Sequence, residues 1–196
     1  MVAGKHLIIV SCLWQSYDHW RGQHEHDLIL AGRTNTNRLH HLQVNGCFEL
    51  SSNRRDIWYG DDMVGAGRLR AEWNSALLQD VVAPSYVSLL LQVQERLHGG
   101  AGSGTSGYYA LWPQARPAEP WGGLVDVLYQ MLLQQPALFS ELNGGVWVSP
   151  VGAVFAPAVK DGGARCGAME GALLRSGMPL VCVPPAVEQL LQAAAK

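Results

Sequence analysis

Beyond residue 41 the apolar positions fall into short regular runs punctuated by glycine and proline, whereas residues 15–41 are largely polar and follow neither a helical nor a strand period. That polar stretch, crowded with His19, His24, His26, His40 and His41, predicts a lead that is irregular or disordered. The patterned part opens on Leu42-Gln43-Val44 and Cys47-Phe48-Glu49-Leu50, either side of Asn45-Gly46. Asn-Gly is the favoured two-residue turn because both of its positions take positive φ. A β-hairpin is therefore predicted, with Leu42, Val44, Phe48 and Leu50 as packing positions.

A helix should follow the Gly60-Asp61-Asp62 loop. Leu69, Trp73, Leu77 and Val81 recur at helical spacing, with Ala76 and Leu78 beside them, which sets one apolar stripe against a core. Pro84 has no N–H and crowds the turn before it, so a kink or restart is expected there; Tyr86, Leu89, Leu90, Val93 and Leu97 continue the pattern. The run GGAGSGTSG at 99–107 reads as a flexible surface loop, 108–112 as a short strand and 113–120 as a linker. Pro120 suits the first turn of a helix that carries Trp121, Leu124, Val125, Leu128, Met131 and Leu132 on one face and ends at Pro136.

Residues 138–140 and 146–148 flank Asn143-Gly144-Gly145 as a second hairpin, and Ser149-Pro150 resembles an N-cap with proline at N1. Met169, Leu173 and Leu174 suggest a helix closed by Gly177, residues 180–183 a buried strand, and Pro184-Pro185 the start of a terminal helix. Together these predict a mixed α/β (α+β) domain over 42–196, β-hairpins and short strands packed with about five or six helices, behind the lead of residues 1–41.

Composition changes this picture in one respect. Charged residues make up 15% of the 196, against roughly 25% in typical soluble domains, so the surface is short of solvating charge and a protein interface or exposed apolar patch is expected. A net charge of -2 gives no electrostatic footprint for nucleic acid or an anionic membrane, and neither is expected as a partner. Cys12, Cys47, Cys166 and Cys182 form no CxxC pair and read as reduced thiols of a cytoplasmic protein. The apolar run from Leu7 to Trp14 follows Lys5 and loosely resembles a signal peptide. Gln15, Tyr17, Asp18 and His19 follow it in place of a small-residue cleavage site. It is also far short of the roughly 20 residues that span a bilayer, and no other stretch comes close, so the chain should be soluble.

Candidate chemistry is sparse. His24-Glu25-His26 places both rings on one face only in a strand, and the helical zinc motif needs HExxH, so no metal site is assigned. Asp61-Asp62 is ordinary turn chemistry; the alternative, a freestanding metal-dependent hydrolase, would use His24, His26, Asp61 and Asp62. No GxSxG and no activated serine or cysteine occurs, and no catalytic residue is assigned. Gly65-Ala66-Gly67 lacks the P-loop lysine, and the run at 99–107 precedes no predicted helix. Arg54-Arg55, followed by Trp58-Tyr59, is the pair that suits a phosphate, a carboxylate or an aromatic ring; the simpler role is pairing with Asp56, Asp61 or Asp62.

The segments VNGCFELSSNRRDIWYGDDM, WNSALLQDVVAPSYVSLLL, YYALWP, EPWGGLVDVLYQ, GGVWVSP and GMPLVCVP, in this order, resemble the internal repeat of sacsin-family proteins, especially the large plant and algal ones. The resemblance runs from Leu42 to Leu191. Its signature positions here are Asn45, Gly46, Phe48, Trp58, Trp73, Asn74, Pro84, Trp112, Trp121, Trp147, Pro150 and Pro179. Upstream the chain departs from the family, which enters the VNG segment through a Leu-Pro run; Asn37-Arg38-Leu39-His40-His41 stands here, and residues 1–41 form a divergent lead.

The resemblance implies a piece of a very large chaperone-like protein, downstream of an ATPase module of the heat-shock-protein-90 type. The chain carries none of that module's motifs, so it is expected to bind ATP only through a partner module and to be no enzyme by itself. The family analogy gives Arg54 or Arg55 a role in reaching nucleotide held on a neighbouring module. Partners are expected to be proteins, such as a sacsin-type ATPase module or other chaperones. A plain protein-interaction module is the third reading.

Overall fold

A computed structural model describes residues 9–12, 27–29, 42–51, 56–97, 105–142, 145–156, 171–173 and 175–196. The fold is α+β, as the pattern predicts. The chain divides into two units, one holding residues up to Tyr86 together with Pro117–Val125, the other Val87–Arg116 and Asp126–Lys196.

In the first unit β1 (Ile9–Cys12) and β2 (Asp27–Ile29) pair antiparallel to either side of β3 (Leu42–Asn45), in the order β1-β3-β2. Val44, fully buried, stands opposite both Val10 and Leu28. Two short strands thus come from a lead expected to be irregular; the rest of that lead, His24 and His26 included, lies outside the described residues. The hairpin predicted across Asn45-Gly46 does not form. Both edges of β3 are already occupied, so residues 47–50 cannot pair with it, and the chain turns away through a Phe48 N–H to Gly46 carbonyl bond of 2.9 Å.

Helix α1 (Ala66–Ala76), a π segment (Leu77–Val82) and α2 (Ala83–Leu97) run as one continuous helix. The predicted stripe is buried only in part: Leu77, and Leu78 beside it, are buried, whereas Leu69 and Trp73 are exposed and Ala71, Asn74 and Val82 are buried in addition. At Pro84 the chain stays helical, with a π segment ending and α2 starting just ahead of it. Its ring would crowd the carbonyl four residues back, at Asp80, and it has no N–H to bond there. The π segment answers both demands, because the Ala83 N–H reaches back five residues to the Leu78 carbonyl and widens the turn ahead of the proline. A strict four-residue step drifts around an α-helix of 3.6 residues per turn, which is why Leu69 and Trp73 do not share the face of Leu77.

This continuous helix, Ala66–Leu97, is long and apolar enough to cross a membrane by length and composition, contrary to the expectation that no stretch came close; the reason is that Pro84 divided the pattern into two. Asn74 and Gln94, both on this helix, are buried within the protein.

In the second unit residues 105–110 form helix α3 (Thr105–Ala110) where a loop end and a strand were expected. Tyr108, Tyr109 and Trp112 meet because the helix and its closing turn bring residues three and four apart together, with Leu111 and Trp112 N–H bonded to the Tyr108 and Tyr109 carbonyls. Edge-on contacts join Tyr108 to Trp147 at 5.1 Å, Trp112 to Tyr129 at 5.7 Å and Phe139 to Trp147 at 5.4 Å. Such pairs add to the large apolar area that each ring removes from water. Helix α4 (Trp121–Leu132) buries Leu128, Tyr129 and Leu132 here and Leu124 and Val125 in the first unit, matching its predicted face.

The sheet of this unit has the order β5-β4-β7-β6, from β4 (Leu138–Ser140), β5 (Val146–Val148), β6 (Val154–Phe155) and β7 (Leu180–Val181). The hairpin β4–β5 pairs as expected, Phe139 opposite Trp147. A 3-10 turn (Pro150–Gly152) starts at Pro150 with Ser149 as its cap position, and the Pro179 carbonyl accepts the Val154 N–H. Residues 171–173 and 175 are helical and Gly177, at φ +80°, closes them, with Met178 N–H bonded to the Leu173 carbonyl. Helix α5 (Pro185–Ala194) begins at its proline.

Burial raises the phenol of Tyr109 to about 12, countered in part by the bond it accepts from the Phe139 N–H at 2.9 Å, and burial raises Tyr108 further. Below the ordinary value of 10.0 both phenols are neutral folded or unfolded, and their contribution is fully present. Above it the unfolded chain ionises first, so stability is lost as pH climbs. Urea midpoints should be flat from about pH 7 to 9 and fall between about pH 10 and 12, with a shallower fall in Tyr109→Phe.

Candidate functional site

Arg54 and Arg55 fall between two described stretches of the first unit, residues 42–51 and 56–86. Glu49 and Leu50 run antiparallel to Ile57 and Trp58: Leu50 bridges Ile57, the Trp58 N–H donates to the Glu49 carbonyl at 2.9 Å, and the Ser51 N–H to the Asp56 carbonyl at 2.8 Å. The Ser51 hydroxyl accepts the Asp56 N–H at 3.3 Å. Residues 52–55, Arg54 and Arg55 among them, lie outside the described residues. The true hairpin of this region is thus one step later than Asn45-Gly46 suggested.

Asn74 holds the base of that hairpin to helix α1. Its side chain is fully buried. The Oδ1 atom accepts the Glu49 N–H at 2.8 Å, and Nδ2 donates to the Glu49 carbonyl at 2.8 Å and to the Trp58 carbonyl at 2.9 Å. One carboxamide therefore satisfies three backbone groups on both strands of the hairpin, which only a side chain with donor and acceptor at one end can do. From sequence Asn74 stood out only as a signature position of the family; its phase was the further signal, since it lies on the same helix face as Ala71 and Leu78.

Aromatic residues complete the base. The Trp73 Nε1–H donates to the Cys47 carbonyl at 2.9 Å, fixing the chain just before the hairpin. The Trp58 ring packs on Gly67 so closely that a Cβ there would stand 3.2 Å from Cζ3, and the Arg70 guanidinium lies 5.7 Å over the same ring while facing Glu49 at 3.6 Å. The Trp58 Nε1 is buried with no hydrogen-bond partner. Tyr59 donates its hydroxyl to Glu119 Oε2 at 3.2 Å, and the same oxygen accepts the Gly123 N–H at 2.9 Å in the first turn of α4.

The remaining signature positions do not converge on one place. Asn45 is in β3, Gly46 and Phe48 form the turn after it, Pro84 follows the π segment, and Trp121, half-buried, starts α4. Trp112, Trp147, Pro150 and Pro179 belong to the second unit, where Trp112 and Trp147 join the aromatic core and Pro150 is buried. Asp61 and Asp62 are exposed in a turn, and no group of side chains suited to a metal ion occurs among the described residues.

Comparison with known proteins gives one relation. The chain is 43% identical to human sacsin over 60 residues, 31% of this chain. The shared stretch covers 1% of the length of sacsin. No family model and no solved structure matches the chain.

Proposed function

We propose, from the stretch shared with human sacsin, that this chain is a sacsin-like segment that works in protein quality control as a scaffold or coupling element and performs no chemistry of its own. The observation that carries the reading is the identity of 43% over 60 residues. The finer reading, a repeat of the plant and algal kind lying downstream of a heat-shock-protein-90-type ATPase module in the cytoplasm, rests on the order of the quoted motifs. On that reading Arg54 or Arg55 reaches nucleotide held by a neighbouring module, where a guanidinium would stabilise charge on the transferring phosphoryl group.

Mixing the 196-residue chain with a sacsin-type ATPase module tests this. The chain should raise hydrolysis by about 10-fold or more, as fits a cation added to phosphoryl transfer, and Arg54→Ala or Arg55→Ala should remove most of that gain. Stimulation that survives both substitutions, or none at all with the intact chain, would sink the coupling role.

A further inference from the structure

Helix α1 has a second apolar face, opposite the one it buries. Val64, Leu69 and Trp73 are 85%, 69% and 39% exposed, and Ala66 and Ala76 are exposed with them. Ala66, Leu69, Trp73 and Ala76 alternate three-residue and four-residue steps, the spacing of one half of a helix–helix seam, with small residues at the ends that permit close approach. The opposite side of the helix is anchored through Ala71, Asn74 and Leu78, which leaves Leu69 and part of the Trp73 ring at the surface. The Trp73 ring is held in place by its bond to the Cys47 carbonyl, which lowers the ordering cost of docking against it.

Charge selects the occupant. The cations along the stripe are matched, Arg68 to Glu72 at 2.7 Å and Arg70 to Glu49 at 3.6 Å. Asp61 and Asp62, just before Val64, and Asp80, one turn beyond Ala76, are exposed, and no ion pair joins them to any described residue. The apolar stripe is therefore bracketed by carboxylates at both ends. We infer that this face of α1 receives a basic amphipathic helix, with apolar side chains over Leu69 and Trp73 and lysine or arginine at its two ends over Asp61-Asp62 and Asp80. A second copy of the same face fits poorly. Parallel or antiparallel, it sets carboxylates against carboxylates at both ends.

The test uses the full chain and a labelled synthetic helix of about 18 residues, with leucine at the three-four spacing and lysine at both ends, beside a counterpart carrying glutamate in place of lysine. Fluorescence anisotropy should give a micromolar Kd for the lysine peptide and binding at least about 10-fold weaker for the glutamate peptide. Leu69→Glu should cost about 10-fold or more with an unchanged melting curve, since Leu69 is exposed; Asp61→Asn, Asp62→Asn and Asp80→Asn together should cost as much at low salt and less as salt rises. Equal binding of the two peptides, indifference to Leu69→Glu, or no binding of the lysine peptide overturns the inference. So does a dimer in sedimentation that Leu69→Glu dissolves, which would give the face to a second copy.

Discussion

Asn74→Ala should destabilise the first unit by about 3 kcal/mol, the loss expected when three backbone groups forfeit one shared partner. The cost is not that of three exposed hydrogen bonds. Asn74 is fully buried, and the Glu49 N–H, the Glu49 carbonyl and the Trp58 carbonyl face a part-buried site where replacement by water is incomplete. At about 2–4 °C per kcal/mol for a chain of this size, the melting temperature should fall by roughly 6–12 °C. Asn74→Asp separates hydrogen bonding from packing. The aspartate keeps an acceptor for the Glu49 N–H but turns a negative charge on two carbonyl oxygens, so its folded pKa is raised and stability is regained as pH falls and the carboxyl protonates. Urea midpoints of both variants across pH check this; an Asn74→Asp curve parallel to that of the unchanged chain would show that the clamp is not what holds the hairpin.

How much of this was readable in the sequence depended on whether the deciding interaction was local. The hairpin β4–β5, the buried face of α4, the proline starts at Pro150 and Pro185 and the closure at Gly177 rest on turn chemistry and short periodicity, and each formed where expected. The hairpin at Asn45-Gly46 failed although its turn signal was strong, because β1 and β2 take both edges of β3. A turn propensity is a preference of a few residues, and pairing across the sheet overrides it. Helix α1 failed in its phase for a different reason: Leu69, Trp73 and Leu77 were read at a strict four-residue step, which drifts around a helix of 3.6 residues per turn, so Leu77 is buried while Leu69 and Trp73 are exposed.

The same distinction applies to the site. Arg54-Arg55 drew notice by composition, yet what the structure describes is the chain on either side of that pair. There Asn74 joins Glu49 and Trp58, residues up to 25 positions apart. No periodicity rule marks an asparagine as a bridge between strands; only its polar nature at a buried phase hinted at it. Low overall charge, in contrast, foretold an exposed apolar surface without saying where, and α1 supplies one at Leu69 and Trp73.

Tyr108 and Tyr109 should respond to loss of their hydroxyls with opposite sign, although they are neighbours in α3 and both are buried. The Tyr109 hydroxyl accepts the Phe139 N–H at 2.9 Å and satisfies a backbone donor that faces away from β5. Tyr109→Phe leaves that donor orphaned in a part-buried place and should cost about 1–3 kcal/mol. The Tyr108 hydroxyl has no hydrogen-bond partner; the Trp112 Nε1–H lies near enough to favour the phenolate slightly, but the two lack hydrogen-bond geometry, and each remains unsatisfied. Tyr108→Phe removes one desolvated polar atom while keeping the ring contacts to Trp112 at 5.9 Å and Trp147 at 5.1 Å. A gain of about 1 kcal/mol is expected, because the hydroxyl gives up its bond to water on folding and receives none in return. The two variants should therefore differ by about 2–4 kcal/mol in urea denaturation, a spread that ring packing alone cannot produce since both keep the ring. A loss in Tyr108→Phe equal to that in Tyr109→Phe would mean that the Tyr108 hydroxyl is satisfied in solution.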